Sequence, residues 1–173
     1  MKFLTLLILI LPTLVFSQNK VTPIVKNQGG IYAIEEAVEY PDSTLQYKIV
    51  IDLKSGAKKE GDLAFALHNS ARMMNLHGIG GVKNMEVIGV IHSDATKSIL
   101  SNSAYKKRYG VENPNTELIA ALTEAGMKIY VCGQSLIARG FAVEELNPNV
   151  QISISALTIL TTYQLKGYAL LTF

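Results

Sequence analysis

Five short stretches break the chain into a regular rhythm. YKIVIDL (Tyr47 to Leu53), VIGVIH (Val87 to His92), KIYVC (Lys128 to Cys132), VQISIS (Val150 to Ser155) and GYALLTF (Gly167 to Phe173) are rich in apolar and β-branched residues. Runs of this length without strict alternation suit strands buried on both faces, as in a parallel sheet. Helical patterns lie between them. Leu63, Ala66, Leu67, Ala71 and Met74 repeat on one face of a helix over Asp62 to Leu76. Asn113-Pro114 sets up the start of a second helix through Leu118, Ala121, Leu122 and Ala125, with Gly126 ending it. Ala156, Ile159, Leu160 and Tyr163 mark a third over Ser155 to Gln164. Strands alternating with helices predict βαβ units with right-handed crossovers. The expected fold is a three-layer α/β/α domain around an approximately five-stranded parallel sheet, spanning residues 45–173. Residues 18–44 are weakly periodic and broken by Gly29-Gly30 and Pro41-Asp42. They read as an N-terminal arm with one short helix near Ile34 to Val38.

The first residues carry a different signal. Met1-Lys2 gives a positive start, and Phe3 to Val15 is apolar except for Thr5, Pro12 and Thr13. Val15-Phe16-Ser17 offers a cleavage site before Gln18. The apolar run is shorter than the ~20 residues of a membrane span, so residues 1–17 are expected to be a secretory signal peptide, the alternative being a retained anchor. The expected location is periplasmic or secreted, with no membrane attachment after cleavage.

The chain has a formal net charge of +2, scattered basic residues and no tryptophan, which gives no electrostatic case for nucleic acid. Charged residues make up 17% of the chain, below the roughly 25% typical of soluble proteins. Part of that deficit is the leading segment, and the rest predicts surface buried between subunits. There is one cysteine. In an oxidising compartment a lone thiol is buried, paired between chains, or reactive. A thioredoxin-type pair within one chain is excluded, and a cysteine-ligated zinc site is disfavoured by three dispersed histidines. His68 and His77 fall within the first helical pattern and are expected to pack. The glycines of HGIGGV (His77 to Val82) follow a helix and precede a strand, the reverse of a dinucleotide loop. SGAKKEGD (Ser55 to Asp62) lies after the first strand, where its lysines either attract an anion or form a solvated turn.

Parallel strands place all their carboxyl ends on one edge, where α/β sites form. Three strand ends are polar: Asp52, His92 and Cys132. An acid, an imidazole and a thiol could share a crevice there, if strand order allows. The other reading has Asp52 capping a loop and His92 packing under a helix. Gly133 permits a sharp turn after Cys132, and Gln134-Ser135 can open a helix. Amides at a helix N-terminus favour a thiolate. From position alone Cys132 is either a reactive thiol at the mouth of a crevice or a buried structural cysteine.

NPNTELIAALTEAGMKIYVCGQSL (Asn113 to Leu136) and LNPNVQISISALTILTTYQLKGYALLTF (Leu146 to Phe173) carry a family resemblance. An asparagine-proline helix start, a cysteine ending the next strand and a glycine-tyrosine final strand occur in this order in the DsrE/DsrF-like sulfur-relay family, including its YchN-like members. The chain resembles exported members of that family from about Tyr47 to Phe173. The resemblance implies a sheet sandwiched between helices, flavodoxin-like in general architecture, assembled as a homotrimer or homohexamer. It also implies a strand-end cysteine that accepts sulfur as a persulfide, and Cys132 occupies that position. The partners would be small sulfur species or a thiol protein, with no metal and no organic cofactor. On this reading Gly133 and Gln134 offer backbone N–H groups to the sulfur, Asp52 contributes to substrate binding, and His92 donates a proton. Two other readings stand beside it: a non-enzymatic oligomeric periplasmic module whose strand-end pocket holds a small ligand, and a thiol sensor that forms a disulfide between subunits or with a small thiol.

Overall fold

The computed structural model describes residues 19–173, so the expected signal peptide lies outside the described residues. The elements run β1 (Tyr47–Leu53), α1 (Phe65–Ile79), β2 (Met85–Ile91), a 3-10 segment (Ser93–Ile99), α2 (Asn102–Tyr109), α3 (Thr116–Glu124), β3 (Lys128–Cys132), α4 (Gly133–Arg139), a short 3-10 turn (Val143–Glu145), β4 (Val150–Ser153), α5 (Ala156–Leu165) and β5 (Ala169–Thr172). The strands form one sheet in the order β4-β3-β2-β1-β5, and every pairing is parallel. The three-layer parallel fold expected from the apolar runs is the one observed.

Strand order dictates which face each helix covers. From β1 to β4 the chain steps steadily toward one edge, so right-handed crossovers put the intervening helices on one face. From β4 it returns across the sheet to β5 at the opposite edge, which sends α5 to the other face. Packing follows this rule. The first face buries Ile49, Ile51, Leu53, Val87, Ile91, Ile129 and Val131 against Leu67, Met74, Leu118, Leu122 and Leu136 of α1, α3 and α4. The second buries Val50, Ile88, Val90 and Cys132 against Ala156, Ile159, Leu160 and Tyr163 of α5. Alternation along each strand therefore sorts odd from even positions in β1 to β3. The layers are unequal: of the five helices among the described residues, α5 alone covers the second face.

Three expectations need correction in detail. The first helix starts at Phe65 rather than Asp62, because the Ala64 N–H donates to Asn115 Oδ1 at 2.8 Å and fixes the start from a distant loop. The segment Ile34 to Val38 forms turns and bends, not a helix. It lies in the arm, which is held elsewhere: Asn75 on α1 accepts from the N–H groups of Ile24 and Val25 and donates to the carbonyls of Gln28 and Gly29. β4 and β5 are shorter than their apolar runs, as edge strands with a neighbour on one side only. Gly126 has φ +92 just after α3, the left-handed position that ends a helix.

A buried asparagine network ties the connections together. Asn113 Nδ2 donates to the carbonyls of Ser98 and Leu100, and its Oδ1 accepts from both the backbone and side-chain nitrogens of Asn115. Asn115 in turn holds the start of α1. One loop thus fixes the 3-10 segment, α3 and α1 against each other.

Candidate functional site

A parallel sheet offers a crevice where neighbouring strands send their connections to opposite faces. Here that point falls between β3, which runs into α4 on the first face, and β4, which leads to α5 on the second. Cys132 is the last residue of β3 and pairs with Ser153, the last of β4. Two helices therefore begin beside the same sulfur. The N–H groups of Gln134 and Ser135 come from the start of α4, and that of Ala156 is the first of α5.

Their effect on the thiol is a contest. Burial is the largest influence and favours the neutral form. Against it act the Ala156 N–H, the Ser135 hydroxyl and the N–H groups of Ser135 and Gln134, which together hold the Cys132 thiol below its ordinary value. The expected amides are present. The expected open position is not, since Cys132 is 5% exposed and packs with Val50, Ile88, Val90 and Ala156. Gly133 is required by close approach: a Cβ there would lie 2.9 Å from the Ser153 carbonyl oxygen. Gln134 is exposed, and its side-chain nitrogen lies 3.4 Å from the Ile154 carbonyl.

Asp52 and His92 do meet. His92 Nε2 lies 2.5 Å from Asp52 Oδ1, with both side chains about one-fifth exposed. The other ring nitrogen, Nδ1, is 2.9 Å from the hydroxyl of Ser93. His92 follows Ile91, which is in register with Val131, so His92 and Cys132 occupy adjacent strand ends. The imidazole is engaged by Asp52 and Ser93, while the sulfur faces the two helix starts. Asp52 orients His92 rather than lining an open pocket. His77 Nδ1 is 2.9 Å from the Met73 carbonyl, and the ring packs edge-on against Tyr47. His68 lies on α1 with Nδ1 unpartnered; burial, then Arg72 and Lys20, lowers its basicity.

Sequence reasoning missed three members of this edge. The Ser135 hydroxyl reaches Cys132 from the first turn of α4, and Ala156 reaches it because β4 lies beside β3. Ser93 has φ +52, a left-handed backbone for a residue with a side chain, at the turn from β2 into the 3-10 segment. Such a conformation costs about 1–3 kcal/mol and persists only where its surroundings enforce it. Here they do: His92 N–H donates to Leu53 O, Ala95 N–H to Lys54 O and Thr96 Oγ1 to Ser93 O. Ser93 also borders a cavity of about 590 Å³ lined by Lys54, Lys58, Phe65, Lys97 and Arg139. Lys54 and Lys58 of the loop after β1 thus line a cavity rather than only a solvated turn. Among the described residues no group of three or more His, Cys, Asp or Glu could hold a metal ion, and no helix is long and apolar enough to cross a membrane.

Comparison with known proteins adds independent findings. Among curated proteins none matches the chain. The structure of a protein of unknown function, MTH1491, from Methanobacterium thermoautotrophicum superposes with a TM-score of 0.57 and 16% sequence identity, covering 73% of this chain and 99% of that one. The ychN protein of E. coli superposes with a TM-score of 0.55 and 20% identity, again over 73% of this chain and 99% of the other. At these identities both likenesses concern the fold. The sequence model of the DsrE/DsrF-like family matches residues 47–173, which hold the whole sheet together with Asp52, His92 and Cys132, and the chain therefore belongs to the DsrE/DsrF-like family.

Proposed function

We propose that this is an exported sulfur-relay protein that carries sulfane sulfur as a persulfide on Cys132. The observation that carries the reading is the convergence of donors from two helix starts and one hydroxyl on a single buried sulfur. The thiolate attacks the outer sulfur of a polysulfide, a new S–S bond forms at Cys132, and the shortened polysulfide leaves with the electron pair. A second thiolate then attacks the terminal sulfur, and Cys132 leaves as thiolate. The donors at Gln134, Ser135 and Ala156 stabilise the negative charge at both stages. No metal or organic cofactor enters this chemistry.

At 5% exposure the sulfur suits small inorganic donors better than direct disulfide formation with a protein. Once loaded, its terminal sulfur stands about 2 Å further out. This geometry favours the carrier over an intersubunit thiol sensor. Intact mass after polysulfide treatment tests it: wild type is expected to gain one sulfur that dithiothreitol removes, and Cys132→Ser to gain none. An unmodified wild-type chain under conditions that modify free cysteine would defeat the reading.

We further propose that a second copy of the chain covers α5. Ala156–Leu165 contains no charged residue, and Leu157 and Leu165 are 79% and 88% exposed. Apolar surface of this kind, continued by Ile154 just before the helix, is that of an interface. Light scattering is expected to give a trimer or hexamer, and Leu157→Glu with Leu165→Glu to give monomer. A wild-type monomer at micromolar concentration would refute the assembly.

A further inference from the structure

We propose that Asp52, His92 and Ser93 form a nucleophilic relay, and that the cavity beside Ser93 admits small acyl esters bearing a negative charge. This chemistry uses neither Cys132 nor sulfur and is separate from the relay function. It begins with an assignment of protons. A carboxylate only accepts hydrogen bonds, so Nε2 of His92 carries its proton toward Asp52. In the neutral ring Nδ1 is then the bare lone pair, and the Ser93 hydroxyl 2.9 Å away is placed to donate to it. That polarity is the one a general base needs to activate a serine.

The placement of Ser93 supports the same reading. It stands on a tight strand-to-helix turn in a left-handed backbone, is exposed, and faces the cavity. Strained turns of this kind present nucleophiles clear of the sheet. The cavity, about 590 Å³, falls within the range of small-molecule sites. Its charge selects the substrate. Lys54, Lys58, Lys97 and Arg139 line it, against the single carboxylate of Asp94. Lys97 pairs with Glu60 and Arg139 with Asp94, whereas Lys54 and Lys58 make no ion pair among the described residues. An anionic group on the acyl portion would meet these two cations.

The reaction balances without any added oxidant or reductant. Ser93 Oγ bonds to the ester carbonyl carbon while its proton passes to Nδ1 of His92. The bond to the alcohol oxygen breaks, and the alcohol leaves with that proton. Water then attacks the acyl-serine, gives a proton to Nδ1, and releases the acid as the proton returns to Ser93 Oγ. Asp52 acts as a positioning residue, holding the tautomer and orientation of the ring.

A dialkyl fluorophosphate and two chromogenic esters, p-nitrophenyl acetate and p-nitrophenyl hemisuccinate, test the proposal on the purified chain. Peptide mapping is expected to place one phosphoryl group on Ser93. Ser93→Gly, which suits the left-handed backbone and so keeps the fold, is expected to take none and to lose ester turnover. Asp52→Asn is expected to lower kcat at least about 100-fold with KM little changed. Lys58→Ala is expected to reduce the preference for hemisuccinate over acetate several-fold. A native chain that is unlabelled or labelled elsewhere overturns the relay, and so does an Asp52→Asn variant that turns over like wild type. A Lys58→Ala variant with unchanged preference overturns the assigned substrate charge.

Discussion

Replacing Asn113 by alanine is expected to lower the unfolding free energy by about 3–5 kcal/mol. Asn113 is 4% exposed, and its side chain satisfies groups of three residues, Ser98, Leu100 and Asn115. Its removal leaves the carbonyls of Ser98 and Leu100 without their donor, and the two nitrogens of Asn115 without their acceptor. Each buried group left unpaired costs about 1–3 kcal/mol. Asn115 then loses the restraint that aims its Oδ1 at the start of α1, so the damage reaches beyond the substituted loop. The thermal midpoint is expected to fall by roughly 10 °C. Asn84→Ala provides the contrast, since Asn84 is exposed and its side chain makes no hydrogen bond, and a change within about 0.5 kcal/mol is expected. Urea unfolding of both variants decides the matter. A loss below about 1 kcal/mol for Asn113→Ala would mean that relaxation or water restores the missing partners.

The second expected result concerns the thiol. Alkylation of Cys132 by iodoacetamide is expected to rise with pH to a midpoint below that of a free cysteine, because the donors around the sulfur outweigh its burial. Ser135→Ala removes one of those donors and is expected to move the midpoint upward. The neutral-pH rate should fall about tenfold or more, since a hydrogen bond to a charged acceptor contributes about 1.5–3 kcal/mol. The linked effect on stability has a definite sign. A thiol whose folded value is depressed adds stability above its unfolded value, and this is lost as pH falls through the folded value. Wild type is therefore expected to gain stability relative to Cys132→Ala between neutral and mildly alkaline pH. An unchanged midpoint in Ser135→Ala would show that the hydroxyl does not act on the sulfur.

The sheet was legible because burial on both faces leaves an unbroken apolar run. β1 and β3, each with neighbours on both sides, match their runs end to end. α2 was invisible to hydrophobic periodicity, since NSAYKKRY buries only Ala104 and Tyr105. Its signals were at its ends: the Ser101 hydroxyl accepts from the Ala104 N–H, and Gly110 closes the helix at φ +78. At the site, strand-end position alone singled out Asp52, His92 and Cys132. It could not reveal that Ala156 reaches the sulfur, because that contact depends on the return from β4 to the far edge of the sheet. Nor could it reveal Ser93, whose significance lies in a backbone angle and in the imidazole beside it.

The pairing of β1 with β5 has a consequence for biosynthesis. Ile49 finds its neighbour in Ala169, at the other end of the chain. Until β5 emerges from the ribosome, β1 presents one unpaired backbone edge to whatever strand it encounters. Contacts so distant in sequence form late and slow folding. Residues 47–53 therefore stay open to mispairing on that edge until translation has passed the final strand.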